Sequence, residues 1–179
     1  TTDVTDIGVK EVKKYYLTDK PTESAKKFAE ERNIDLSERD LVYFAEAGDN
    51  FDPKDAKKAS DFKFLSEYLE GLSEDEKANI KEAPNYFYEV TFEKPGGLVM
   101  PIITEFTYAD GTKERKTFPA QIWRYDETEV KKVFRTDKEI TKITVDPDLE
   151  TADVDTSNNA WPKEIQQSDF EKFKSEVKN

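Results

Sequence analysis

The 179-residue chain contains no histidine, no cysteine and a single methionine. Without imidazole or thiolate it lacks the ligands of a catalytic zinc centre, the base of a triad hydrolase and the nucleophile of thiol chemistry. Missing cysteines also exclude a disulfide framework, and with it any indication of redox compartment. No apolar run approaches the ~20 residues that span a bilayer, and no signal-peptide core is present, so membrane insertion is not expected. The chain opens on Thr1, which fits a trimmed or excised piece, so the missing targeting segment says nothing of a parent polypeptide. Basic residues are also in short supply: 28 Lys and Arg stand against 40 Asp and Glu, a net charge of −12. That sign repels nucleic-acid phosphates and anionic bilayers, which removes nucleic acid from the expected partners.

What is present is aromatic. Twelve Phe, eight Tyr and two Trp make up 12 % of a chain that is 38 % charged. Aliphatic scatter at this charge density would read as disorder, but aromatic side chains bury large areas each, and many stand here in alternating runs that build a core. The length suffices for one sizeable core, or one medium domain with an appendage.

Residues 1–84 carry mainly helical signals. Ser24 to Arg32 spaces Ala25, Phe28 and Ala29 as a helix does. From about Pro53 to Leu69, Phe62, Leu65 and Leu69 form a stripe that Phe64 and Tyr68 broaden, and Gly71 ends it. Ser73 and Glu76 have the spacing of a capping box for a helix that ends before Pro84. Ile7 to Leu17 fits either a strand or a short helix. From Tyr86 the period becomes two: Tyr86, Tyr88, Val90 and Phe92 alternate with Phe87, Glu89, Thr91 and Glu93, as in a half-buried strand. Leu98, Met100, Ile102, Phe106 and Tyr108 line a second strand, Asp110-Gly111 marks a hairpin, and a return strand runs from Lys113 to Arg124. Pro119 places that strand at an edge or a bulge. Further runs at Val130 to Phe134, Ile140 to Val145 and Thr151 to Val154 complete six short strands. The expected class is α+β: a helical segment over 1–84, an antiparallel immunoglobulin- or fibronectin-like β-sandwich over 85–162, and a short terminal helix or tail over 163–179.

The densest acidic stretch is Asp146-Pro147-Asp148 followed by Asp153 to Asn159. Asp153, Asp155, Ser157 and Glu164 fall on the first, third, fifth and twelfth positions of a calcium loop. Asn158 replaces the glycine, and Pro162 interrupts the loop. The plainer reading is a turn at Asp-Pro-Asp and capping by Ser157-Asn158-Asn159. Calcium candidates are therefore Asp153, Asp155 and Glu164. Nothing singles out a carboxylate pair for glycoside hydrolysis among so many acids. Trp123, Tyr125 and Trp161 are the candidates for an interaction surface toward a peptide, glycan or partner domain, although such residues more often fill a core. Lys94-Pro95-Gly96-Gly97 lacks phosphate-loop spacing and reads as a turn.

The ordered series Tyr86 to Phe92, Pro95-Gly96-Gly97-Leu98-Val99-Met100-Pro101-Ile102-Ile103, Tyr108 to Thr112, Pro119 to Arg124, Val145-Asp146-Pro147 and Asp153 to Pro162 resembles the C-terminal region of bacterial aminopeptidase-N-like zinc metallopeptidases. Leu72 to Lys77 resembles, more weakly, the linker into that region. The resemblance implies a periplasmic, cell-surface or secreted protein, and zinc held in a catalytic domain by a His-Glu-x-x-His motif that this chain does not contain. It therefore implies an accessory module without a catalytic residue or cofactor of its own, whose partner is a peptidase catalytic domain in the same polypeptide. An autonomous peptide- or glycan-binding module, with or without calcium, is the alternative.

Overall fold

The computed structural model describes residues 3–37, 41–58, 61–81 and 86–163. In chain order its elements are β1 Gly8–Thr18, α1 Glu23–Glu31, β2 Tyr43–Glu46, α2 Lys63–Glu70, α3 Glu74–Lys81, β3 Tyr86–Glu93, β4 Ile102–Tyr108, β5 Lys113–Phe118, β6 Glu129–Thr136, β7 Ile140–Val145 and β8 Ala160–Trp161. The strands form two four-stranded, mostly antiparallel sheets, ordered β2-β1-β3-β6 and β5-β4-β7-β8. Of the residues left open between strand and helix, 7–17, all but Ile7 lie in β1, paired through Leu17↔Phe44 and Tyr15↔Glu46. A local pattern compatible with both periods is settled by the availability of a sheet partner.

The chain divides into two compact units, and the division does not fall at residue 84. The first comprises Thr1–Glu11, Thr91–Val130 and Ile140–Asn179; the second comprises Val12–Val90 and Lys131–Glu139. In the first unit, β4 pairs with β5 from Ile102↔Phe118 to Thr107↔Lys113. The hairpin turns at Asp110-Gly111, where Gly111 takes φ 81°, a left-handed conformation that lacks a steric penalty only for glycine. Asp110 Oδ1 accepts from the Thr112 N–H at 2.9 Å and its hydroxyl at 2.5 Å. The core of this unit holds Ile7, Val9, Phe92, Ile102, Phe106, Ile143, Val145 and Trp123. In the second unit Leu17, Ala29, Phe62, Tyr88, Val90 and Phe134 are buried.

Four expectations shift at their boundaries. The return strand stops at Phe118, because Pro119 has no N–H for a ladder and opens a 3-10 helix, Ala120–Arg124, with Ile122 N–H donating to Pro119 O at 2.9 Å. Ala120 and Ile122 therefore belong to that turn. β4 begins at Ile102, since the Leu98 N–H is bonded to Val4 O at 3.2 Å and Leu98 is exposed. Thr151 to Val154 is no strand: the Asp146 carboxylate captures the N–H groups of Glu150 and Thr151, and Leu149 and Ala152 take φ 55° and 53°. The helix expected from Pro53 to Leu69 is a 3-10 turn, Pro53–Asp55, capped by Asp52, followed later by α2.

α1 is capped by Thr22, whose hydroxyl accepts from Ala25 N–H at 3.3 Å, and ends where Asn33 takes φ 52°. Only Ala29 of its stripe is buried; Phe28 is exposed beneath the Arg32 guanidinium, 3.9 Å from its ring. The capping box of α3 forms as the spacing predicts, with Ser73 N–H donating to Glu76 at 2.9 Å and Glu76 N–H to Ser73 Oγ at 3.4 Å. In the α2 stripe, Phe62 is buried and Tyr68 exposed. The side chains of Phe64, Leu65 and Leu69, and the tail from residue 164 on, lie outside the described residues.

Trp123 is 2 % exposed and its indole N–H donates to Met100 O at 3.0 Å. Trp123→Ala is expected to cost about 3–5 kcal/mol in denaturant unfolding; a loss below about 1 kcal/mol would place the indole outside the core.

Candidate functional site

The acidic stretch folds as a scaffold of turns. Asp146 is 2 % exposed at φ 47°. Its carboxylate accepts from Glu150 N–H at 2.7 Å, Thr151 N–H at 2.9 Å and the Thr151 hydroxyl at 2.6 Å. Three donors are what a buried carboxylate needs in place of water. Asp148, across Pro147, is exposed and bonded to Arg115 at 2.5 Å; that guanidinium holds the Asp148 carboxyl below its ordinary range. Arg115 also reaches Glu105, at 3.1 Å.

Asp153 Oδ2 accepts from Ile7 N–H at 3.2 Å and Oδ1 from Asp155 N–H at 3.0 Å. Asp155 caps the short turn Thr156–Asn158, taking the Ser157 hydroxyl at 2.5 Å and N–H at 3.0 Å, and these bonds lower its pKa. Asn158 donates to Asp6 Oδ1 at 2.8 Å. The buried Asn159 amide, its nitrogen turned inward, places its two N–H groups among three acceptors, Asn158 Oδ1 at 2.8 Å, Ile7 O at 3.0 Å and Asp153 Oδ2 at 3.2 Å. Asp153 and Asp155 thus hold backbone rather than converge on a cation, and among the described residues no group of three or more His, Cys, Asp or Glu is placed to hold a metal. Glu164 lies outside the described residues.

The three aromatic candidates do not share an exposed surface. Trp123 is core, which removes it as a contact for ligand. Trp161 stands opposite Ile143 in the β7–β8 register, half-buried on the core side of its sheet. Tyr125 alone projects, at 94 % exposure. The second unit carries two open grooves that no sequence motif indicated. One, of about 710 Å³, is lined by Pro21, Lys26, Glu30, Asn33, Ile34 and Leu36. The other, of about 450 Å³, is lined by Tyr15, Tyr16, Lys20, Thr22 and Phe44 among others. Lys26 is paired with Glu23 at 2.6 Å and Lys20 with Asp55, so the cations in both grooves are engaged. No protein-family model, curated protein or solved structure matches the chain.

Sequence reasoning indicated the capping by Ser157-Asn158-Asn159 but missed Asp146 as the organiser of its loop, Asp6 as the partner of Asn158, and the strip of exposed Phe44, Val133 and Arg135 around half-buried Phe87. The last had one readable signal: in β6, Lys131, Val133 and Arg135 alternate with inward Lys132 and Phe134.

Asp146→Asn should destabilise the chain by about 2–3 kcal/mol, because an amide nitrogen then faces donors in a buried site; an unchanged unfolding midpoint would remove Asp146 from this role. Asp155 is held below its ordinary pKa first by the Ser157 hydroxyl, and Asp126 first by the Thr128 N–H. A depressed folded-state pKa stabilises above the unfolded-state value and ceases to as pH falls through the folded one. The melting temperature should hold from pH 7 to about 5 and fall below about pH 4, which a thermal melt series across that range checks.

Proposed function

We propose that the chain is a non-catalytic accessory module of a zinc aminopeptidase-like protein, packing on or positioning its catalytic domain. The observation that carries this reading is the set of large apolar side chains left in solvent on ordered elements, with Phe44 57 %, Val133 64 % and Tyr125 94 % exposed. Large exposed aromatics and aliphatics on a rigid base mark contact surfaces more often than catalysis. The peptidase connection rests on the ordered resemblance over residues 86–162. With no His in the chain, zinc belongs in this reading to the catalytic domain. The same resemblance supports an immunoglobulin-like arrangement of the strands and an exported, bacterial protein.

The alternative, an autonomous module for peptide or glycan with or without calcium, draws on a groove lined by Trp123 or Trp161 with Asp153 and Asp155 converging. The burial of Trp123 and the bonds of both carboxylates to backbone favour the first reading. Among the described residues, no helix is long and apolar enough to cross a membrane.

The test mixes the purified chain with a zinc aminopeptidase catalytic domain, reads complex formation by light scattering and calorimetry, and assays the chain alone for aminoacyl-anilide release with added zinc. A one-to-one complex and no release by the chain alone are expected. Zinc-dependent release by the chain alone, or no complex at about 100 µM of each, overturns the reading.

A further inference from the structure

One face of the second unit's sheet is partly open: Leu17, which pairs with Phe44 and so shares its side, is buried, Phe87 and Glu89 are half-buried, and Phe44 and Val133 are exposed. On β3, Tyr88 and Val90 are fully buried, so Phe87 and Glu89 point from the opposite side. Phe44 of the edge strand β2 shares that side: its ring meets Phe87 edge-on, at 5.0 Å between centroids and 79° between planes. On β6, at the other edge, Phe134 and Thr136 turn inward while Lys131, Val133 and Arg135 are exposed. The Arg135 guanidinium lies 5.8 Å from the Phe87 ring, and Lys131 reaches Glu89 at 3.9 Å. Phe44 and Phe87 in ring contact, with Val133 exposed on β6, therefore give this side an apolar strip, with Arg135 beside it and exposed Glu46 next to Phe44 at the β2 edge.

We propose that this face is the docking surface for the catalytic domain, and that its occupant presents an apolar side chain next to a carboxylate. The inference rests on the accessory-module reading above and names the surface and partner chemistry it requires. The charge argument is local. Acids outnumber bases by twelve in the chain (40 against 28), yet among the described residues Arg135 has no ion-pair partner. Its guanidinium stands over an aromatic ring, where it keeps its planar donors for a bidentate carboxylate. Docking an apolar side chain on Phe44 and Val133 excludes water from that pair, which strengthens it. A second copy of the chain is a poorer occupant, since two molecules each at −12 repel, and an anionic bilayer is repelled by the same charge.

The test measures calorimetric affinity of the full chain and its variants for the catalytic domain, with circular-dichroism melts confirming that each variant folds. Arg135→Glu is expected to weaken binding roughly tenfold or more, and Phe44→Ser with Val133→Ser to do the same. Arg135→Lys should retain part of the affinity, added salt should lower it, and Arg124→Glu, on the other unit, should leave it unchanged. A wild-type complex indifferent to all the sheet-face variants overturns this surface while the accessory-module reading stands. No wild-type complex overturns both. Self-association of the chain by sedimentation, abolished by Arg135→Glu, would assign the face to a second copy and also overturn the proposal.

Discussion

Residues 4–8 form a strap whose backbone is held from both sides, and the loops of the first unit depend on it. On one side Leu98 N–H donates to Val4 O and Gly96 N–H to Asp6 O; on the other Val154 N–H donates to Thr5 O and Ile7 N–H to Asp153. Thr5 and Ile7 are buried, and buried backbone groups need such partners. The fit is close enough to demand glycine. A Cβ on Gly96 would come within 2.3 Å of Val4 O, and one on Gly8 within 2.4 Å of the Asn158 side chain. Next to the strap, the buried Lys94 ammonium donates to Gly96 O at 3.2 Å and lies 5.8 Å from the Trp123 ring. Trp123 in turn ties the loop at Met100.

This arrangement gives the acidic stretch a structural task. Asp146, Asp153 and Asp155 each accept from N–H groups of loops that make few ladder bonds. For Asp155 the Ser157 hydroxyl and N–H also favour the charged form. The apolar strip on the second unit's sheet is the opposite case. Phe44 and Val133 stay exposed beside half-buried Phe87, and it is this exposure that the proposed docking surface draws on.

Local signals were legible where the competition was local. The Asp110-Gly111 hairpin, the Ser73–Glu76 capping box and the alternation over Tyr86–Phe92 each rest on neighbours a few residues apart, and each formed. The pattern of the return strand runs past Pro119, whose missing N–H ends the ladder. Thr151 to Val154 fits a strand by pattern, whereas the Asp146 carboxylate, five residues back, takes the N–H groups of Glu150 and Thr151. Phe28 fits a helical stripe and is nevertheless exposed, because spacing identifies a face without saying whether anything covers it.

What the sequence determined by itself is the chemistry excluded and the local elements: no imidazole or thiolate, a −12 surface, short helices with legible caps, and strands with a period of two. Residue types and near-neighbour spacing carry that information directly. What only the tertiary structure decided is which aromatic is core and which is free. Trp123 and Tyr125 are two residues apart, yet one is buried and hydrogen-bonded while the other stands 94 % exposed. Partners distant in the chain make that difference: Met100 for Trp123, Asp6 for Asn158, and Phe44 and Arg135 for Phe87. Burial is a property of what folds over a side chain, and no stretch of sequence contains its own cover.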